Sequence, residues 1–157
     1  NLPDIDGMVI VTTPQDVALL DSRKSITFAN SLKVDVIGII ENMSGYAING
    51  KATAGTELEI AGPGGKTHKA TADDNGDWSV TLDIFKSGGG EKTATEFNVP
   101  FLGKLPFDPG FVRGGDDGVH RIVSEPEGAS SQAFSSVVSK IQNFVETEDT
   151  NGGLEII

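Results

Sequence analysis

Gly65-Lys66-Thr67 is the stretch of this chain that spells most like a phosphate-binding loop. Such a loop reads G-x-x-x-x-G-K-[ST], with backbone N–H groups wrapped around the anion and a lysine reaching the outer phosphates. The first glycine must stand five residues before the second, and Ile60 occupies that position. Gly62 is only three before, which leaves the loop two residues too short. The flanks disagree as well. A phosphate loop follows a strand and opens a helix, whereas His68–Asp77 has no apolar 3.6-residue period and contains Asn75-Gly76, a turn signal. Glu57–Ile60 and Trp78–Leu82 alternate apolar with polar residues, as half-buried strands do. The spelling therefore predicts a β-meander with turns at Gly62–Gly65 and Asp74–Asp77.

Other chemistries are weaker still. Asp73–Asp77 offers oxygen ligands at alternating positions, as a calcium loop does, but the place of the bidentate glutamate holds Ile84. His68 and His120 have no cysteine partners, so no zinc site is expected. The 157 residues include no cysteine, which excludes thiol catalysis, disulfides and cysteine-held metal clusters within the chain. No Ser-His-Asp set can be argued from spacing, and Gly114–Gly118 reads as a solvated acidic turn. No catalytic residue and no metal ligand are assigned. A net charge of −11 repels nucleic acid phosphates and anionic lipid, so neither partner is expected. No apolar run is long enough to span a membrane, and the first residues show no basic region leading into an apolar stretch, so no signal peptide is expected.

Any site must be positioned by the elements around it. Gly7–Thr13 is a continuous β-branched run, as in a parallel strand buried on both faces. From Asp16 onward Val17, Leu20, Ile26 and Leu32 recur at helical spacing, with Thr13 or Asp16 as cap. Val34–Ile40 is a second buried strand, completing a β-α-β unit. Gly90–Phe97 reads as a helix, Phe101–Pro106 as a third strand and Ser131–Glu146 as a C-terminal helix with Phe134, Val137, Val138, Ile141, Phe144 and Val145 on one side. The fold class is α/β: a partial parallel sheet with flanking helices, plus an inserted antiparallel β-meander. Residues 1–46 and 83–146 form the α/β domain, 47–82 the β-rich insertion and 147–157 a flexible acidic tail. Gln15 and Asp16 stand at the carboxyl edge of a parallel strand, where open α/β sheets place ligands; helix capping explains them equally well. Gly88–Gly90 could present N–H groups to an anion or serve as a hinge.

Several stretches in order, "DGMVIVTTPQDVALLDSRKSI", "VIGIIENMSGY", "DIFKSGGGEKTATEFNVPFLGKLPFDP" and "GDDGVHRIV", resemble the C-terminal half of the Mrp-type ATPases. These are iron–sulfur cluster carriers related to MinD and the nitrogenase iron protein. The resemblance covers about 110 residues and implies a doubly wound α/β sheet that dimerises around ATP in the cytoplasm. It further implies that Asn42, of "ENM", faces the adenine and that Pro106 and Phe107 cover it. A side-chain amide offers donor and acceptor together, matching an adenine edge; a strand-end cap at Asn42 and a core Phe107 are the bland alternatives. Two departures stand out. No segment matches the family's P-loop or switch segments, and Ala47–Leu82 replaces the usual Cys-x-x-Cys segment. That replacement is similar to part of a bacterial Ig-like adhesin repeat, "NGKATAGTELEIAGPGGKTHKATADDNGDWSVTL".

The expectation is thus a partial ATP-binding, cluster-carrier-like domain, catalytically inactive alone and without an iron–sulfur cluster. Its partner would be a second copy or the missing N-terminal half. The alternative is a structural or adhesive Ig-like β module on an α/β body, arising by natural insertion or as an engineered chimera.

Overall fold

The computed structural model describes residues 5–151, with side chains described as far as Thr147. The chain runs β1 (Met8–Thr12), α1 (Asp16–Leu32), β2 (Val36–Lys51), β3 (Glu57–Ala61), β4 (Thr67–Thr71), β5 (Asp77–Leu82), α2 (Gly89–Phe97), β6 (Phe101–Phe107), α3 (Pro109–Asp117), α4 (Arg121–Ser124) and α5 (Ala129–Asn151).

The second apolar run packs as a doubly buried strand, whereas β1, at the end of the strand order, leaves Val11 59% exposed. β1 and β6 both pair with β2 in parallel. Ile10, Ile39 and Phe101 turn to one face, against Ile26 of α1 and Ala94 of α2. Val9, Ile40 and Leu102 turn to the other, against Val137 and Ile141 of α5. Successive residues of a strand point to opposite faces, so Ile39 and Ile40 each serve a different layer. Ile26 and Ile39 are fully buried; each such side chain contributes about 1.5–3 kcal/mol from leaving water. The result is an α/β fold with helices on both faces of a mostly parallel sheet.

Four expectations need correction. The separate antiparallel meander is not formed. β2 runs unbroken from the parallel sheet into the insertion, and β5 pairs antiparallel with its far end, from Tyr46↔Leu82 to Lys51↔Asp77. Only β3 and β4 stand apart, as a two-stranded sheet. The physical reason lies at Met43 and Gly45, whose φ values of 55° and 88° absorb a bulge without ending the strand. On α1, Val17, Leu20 and Leu32 are 75%, 55% and 51% exposed; of the expected face only Ile26 is buried, in a stripe with Leu19, Ser22 and Ala29. The periodicity holds, but its face is rotated by about one position. The α1 cap is Gln15, with no side-chain bond to the helix, in place of Thr13 or Asp16. α5 ends at Asn151, beyond the expected Glu146, and 152–157 of the expected tail lie outside the described residues.

The stretch that spells like a phosphate loop joins β3 to β4. Pro63–Gly65 makes one 3₁₀ turn, Gly62 N–H donates to the Lys66 carbonyl at 2.7 Å, and Lys66 is exposed. At the other turn the Asp73 carboxylate accepts from the N–H groups of Asn75 and Asp77, so that acidic run holds its own backbone. No helix among the described residues is long and apolar enough to cross a membrane.

Candidate functional site

Site geometry begins at Glu41, where the apolar run of β2 ends. Glu41 is fully buried. A buried carboxylate has to be hydrogen-bonded, and this one accepts from Ser44 Oγ at 2.6 Å, Gly88 N–H at 3.0 Å and Gly90 N–H at 2.6 Å. Burial pushes its pKa up, but the Ser44 hydroxyl and the Gly88 and Gly90 amides outweigh it, so the carboxyl titrates below its ordinary value. Gly88 caps α2 in the left-handed region at φ 84°, a conformation that glycine adopts without strain. The glycine-rich turn therefore does present N–H groups to an anion, and the anion is Glu41 of the same chain. Sequence reasoning missed this residue. Its signal was a carboxylate directly after the buried run Val36–Ile40.

The next residue, Asn42, lines a cavity of about 280 Å³ together with Met43, Leu105, Pro106, Phe107 and Phe111; Asp108, Val112, Ser130 and Phe134 complete the wall. β2 supplies Asn42 through the bulge at Met43, and Asn42 Oδ1 accepts from Met43 N–H at 2.9 Å. β6 and the turn into α3 supply Pro106 and Phe107. α5 closes the far side, its Phe134 stacked with Phe111 at a centroid separation of 6.1 Å. Phe107 also packs on Tyr46, 5.8 Å away. The wall is thus mostly apolar and aromatic, with a few polar groups, as small-molecule sites are. A planar heteroaromatic ring fits that chemistry.

Three of the five residues singled out for a bound cofactor, Asn42, Pro106 and Phe107, thus meet around one cavity. Gln15 and Asp16 do not join them. Gln15 is exposed at the start of α1, taking a bond from Thr13 Oγ1. Asp16 pairs with Lys86, which lowers its pKa, in a shallow cleft with Gly88 and Gly89. Asp108 was also missed, although an aspartate directly before Pro109 is a helix-start signal. Its carboxylate accepts from Gly110 N–H and from Arg121 Nε. Among the described residues no cluster of three or more histidine or acidic side chains is placed to hold a metal ion.

Comparison with known proteins follows the same line. The ParA family model, described as NUBPL iron-transfer P-loop NTPase, matches residues 1–76 and 71–142. The iron–sulfur cluster carrier protein of Methanococcus maripaludis is 35% identical over 147 residues, which is 94% of this chain and 41% of that protein. The carrier of Synechocystis is 39% identical over 139 residues, 88% of this chain and 32% of that protein. The chain therefore spans well under half the length of the relatives it matches. In fold it resembles the cell division ATPase MinD of Pyrococcus furiosus, with a TM-score of 0.53 and 17% identity, covering 88% of this chain and 43% of that one. It also resembles the septum site-determining protein MinD of Pyrococcus horikoshii, solved with Mg-ADP, at a TM-score of 0.50 and 18% identity, covering 96% and 44%. On the family match, which spans most of its length, this chain belongs to the ParA family of NUBPL-type iron-transfer P-loop NTPases.

Proposed function

We propose that this chain supplies the base-binding side of an adenine-nucleotide site in an iron–sulfur cluster carrier. The observation that carries the reading is the convergence of Asn42, Pro106 and Phe107 on one cavity of about 280 Å³. That volume lies just below the roughly 300–1,000 Å³ usual for whole ligands, which suits a base whose phosphates lie outside. Phe107 and Phe111 offer ring faces, and Pro106 offers an apolar wall. Asn42 keeps its Nδ2 donors for the base edge, because its Oδ1 is engaged by Met43 N–H. A bound nucleotide would supply the phosphoryl group; this chain's residues would bind and orient the base and keep water from one side of it.

Phosphoryl transfer requires a phosphate loop, a metal and a positioned water, and these 157 residues contain no G-x-x-x-x-G-K-[ST]. We therefore read the chain by itself as inactive in hydrolysis. Without cysteine, it also lacks the usual ligands for a cluster, which a partner segment of different sequence would have to provide. Residues 47–82 are read as an insertion into the α/β body; the Ig-like alternative gains nothing from a lone two-stranded sheet, which is less than a sandwich.

Titrating adenosine and MgATP into the labelled chain, followed by NMR, tests the reading. The expected result is a saturable set of shifts confined to Asn42, Met43, Phe107 and Phe111, with no phosphate release. Shifts spread over the surface without saturation would overturn the base site, and turnover abolished by a substitution within the chain would overturn the inactivity.

A further inference from the structure

The polar wall of the cavity is held from behind. Asp108 stands at the start of α3 and is joined there by two elements. Its own helix donates Gly110 N–H at 2.8 Å and α4 donates Arg121 Nε at 3.1 Å; α5 holds α4 in turn, the Ser131 hydroxyl donating to the Arg121 carbonyl at 3.5 Å. Arg121 reaches it across 13 residues and does not line the cavity. The other arm of its guanidinium, Nη1, holds Glu125 at 2.9 Å. The pair is shielded, with side-chain exposures of 24% for Arg121 and 15% for Asp108, unlike the surface pairs of this molecule. Gly110 gives the guanidinium room. A Cβ there would overlap the Arg121 guanidinium, so its absence lets the arginine lie across the first turn of α3.

We propose that Arg121 is a positioning residue for the base cavity: through Asp108 it locks the β6–α3 turn onto α4 and so fixes Phe107 and Phe111 in the geometry a planar base requires. The inference rests on the reading of the cavity as a base site. A wall that is fixed before binding spares the ordering of loop and side chains on association, and affinity rises accordingly. Outer partners that orient metal ligands are typically worth about 10–100-fold in affinity, and an effect at the low end of that range is expected for this wall. The guanidinium serves two carboxylates, Nε holding Asp108 and Nη1 holding Glu125, and the positive charge beside Asp108 is the part on which the turn depends.

The test uses the 157-residue chain and three variants, Arg121→Met, Arg121→Lys and Gly110→Ala, each checked for folding by circular dichroism. Two quantities are read: the adenosine dissociation constant by NMR, and amide hydrogen exchange at Gly110 and Phe111. Arg121→Met is expected to weaken adenosine binding by about tenfold or more and to speed exchange at both amides. Gly110→Ala, a change that ordinarily favours a helix, is expected to do the same by displacing the guanidinium. Arg121→Lys keeps a charge within reach of Asp108 and is expected to recover most of the loss. The proposal is overturned if folded Arg121→Met or Gly110→Ala matches the parent chain in both readouts, or if the lysine variant is as impaired as the methionine one. Should the parent chain fail to bind adenosine, the base-site reading falls, and the role of Arg121 in affinity falls with it. The exchange data would then still decide whether the lock exists.

Discussion

Two places at the carboxyl ends of the parallel strands look receptive, and they differ in what fills them. The glycine turn at Gly88–Gly90 opens a helix with free N–H groups, the usual setting for an anion. In this fold those donors are taken by Glu41, so the turn is closed from within. The cavity beside Asn42 has no such internal occupant. Its walls are rings and a proline, and the one nearby carboxylate, Asp108, is tied to Gly110 and Arg121. Adjacent residues of one strand thus serve opposite ends. Glu41 satisfies the fold, and Asn42 lines the cavity. A glycine-rich helix start is therefore a poor guide to a site until its donors have been traced to their partners.

The comparison can be broken most forcefully at Glu41. Replacing it with glutamine puts an amide among donors and removes a buried charge from three of them, so Glu41→Gln should lower unfolding free energy by about 3 kcal/mol in urea at neutral pH. The difference should also depend on pH. The Glu41 carboxyl titrates below its ordinary value when folded. Its stabilisation is therefore fully present above about 4.3, the unfolded value, and is lost as pH falls through the folded value. The gap between parent and variant should accordingly shrink in acid; a gap that widens would show that Glu41 is not the anion of the turn.

Trp78 probes a region outside both places. Its indole lies over Gly50 on the neighbouring strand, half-buried. Trp78→Ala should cost roughly 2 kcal/mol, less than the 3–5 kcal/mol of a fully buried aromatic, when followed by far-ultraviolet circular dichroism. It should leave adenosine binding intact. Asn42→Ala should do the reverse, weakening adenosine about tenfold through the loss of one directed hydrogen bond with little change in the urea midpoint. Lys66→Ala, in the turn that spells like a phosphate loop, should change stability by less than about 0.5 kcal/mol and affinity not at all. Lost binding there would reinstate the phosphate-loop reading.

Much of the frame was legible. Gly7–Thr13 and Val34–Ile40 are rich in β-branched apolar residues, as strands of a parallel sheet are. The C-terminal helix showed part of its stripe: Val137 is buried with Ile141 packed beside it, whereas Phe134 and Val138 are each 36% exposed. What escaped depended on neighbours distant in sequence. The second strand was expected to end at Ile40, yet it runs on to Lys51, with Met43 and Gly45 at positive φ inside it, because β5 returns to pair with it. Val17 and Leu20 satisfy a helical period, but the sheet meets the stripe through Leu19, Ile26 and Ala29. Asn42, Pro106 and Phe107 came from resemblance, not from spacing. Glu41 and Arg121 act through partners 47 and 13 residues away, and no local pattern encodes such pairs.

Photolabelling with 8-azidoadenosine triphosphate, followed by peptide mapping, sets the two places directly against each other. Labelling that unlabelled adenosine suppresses should map to the peptide spanning Leu105–Val112 or to Asn42–Met43, because the base would lie between those walls. Label recovered instead from Lys86–Lys92 would place the nucleotide at the glycine turn and contradict the account.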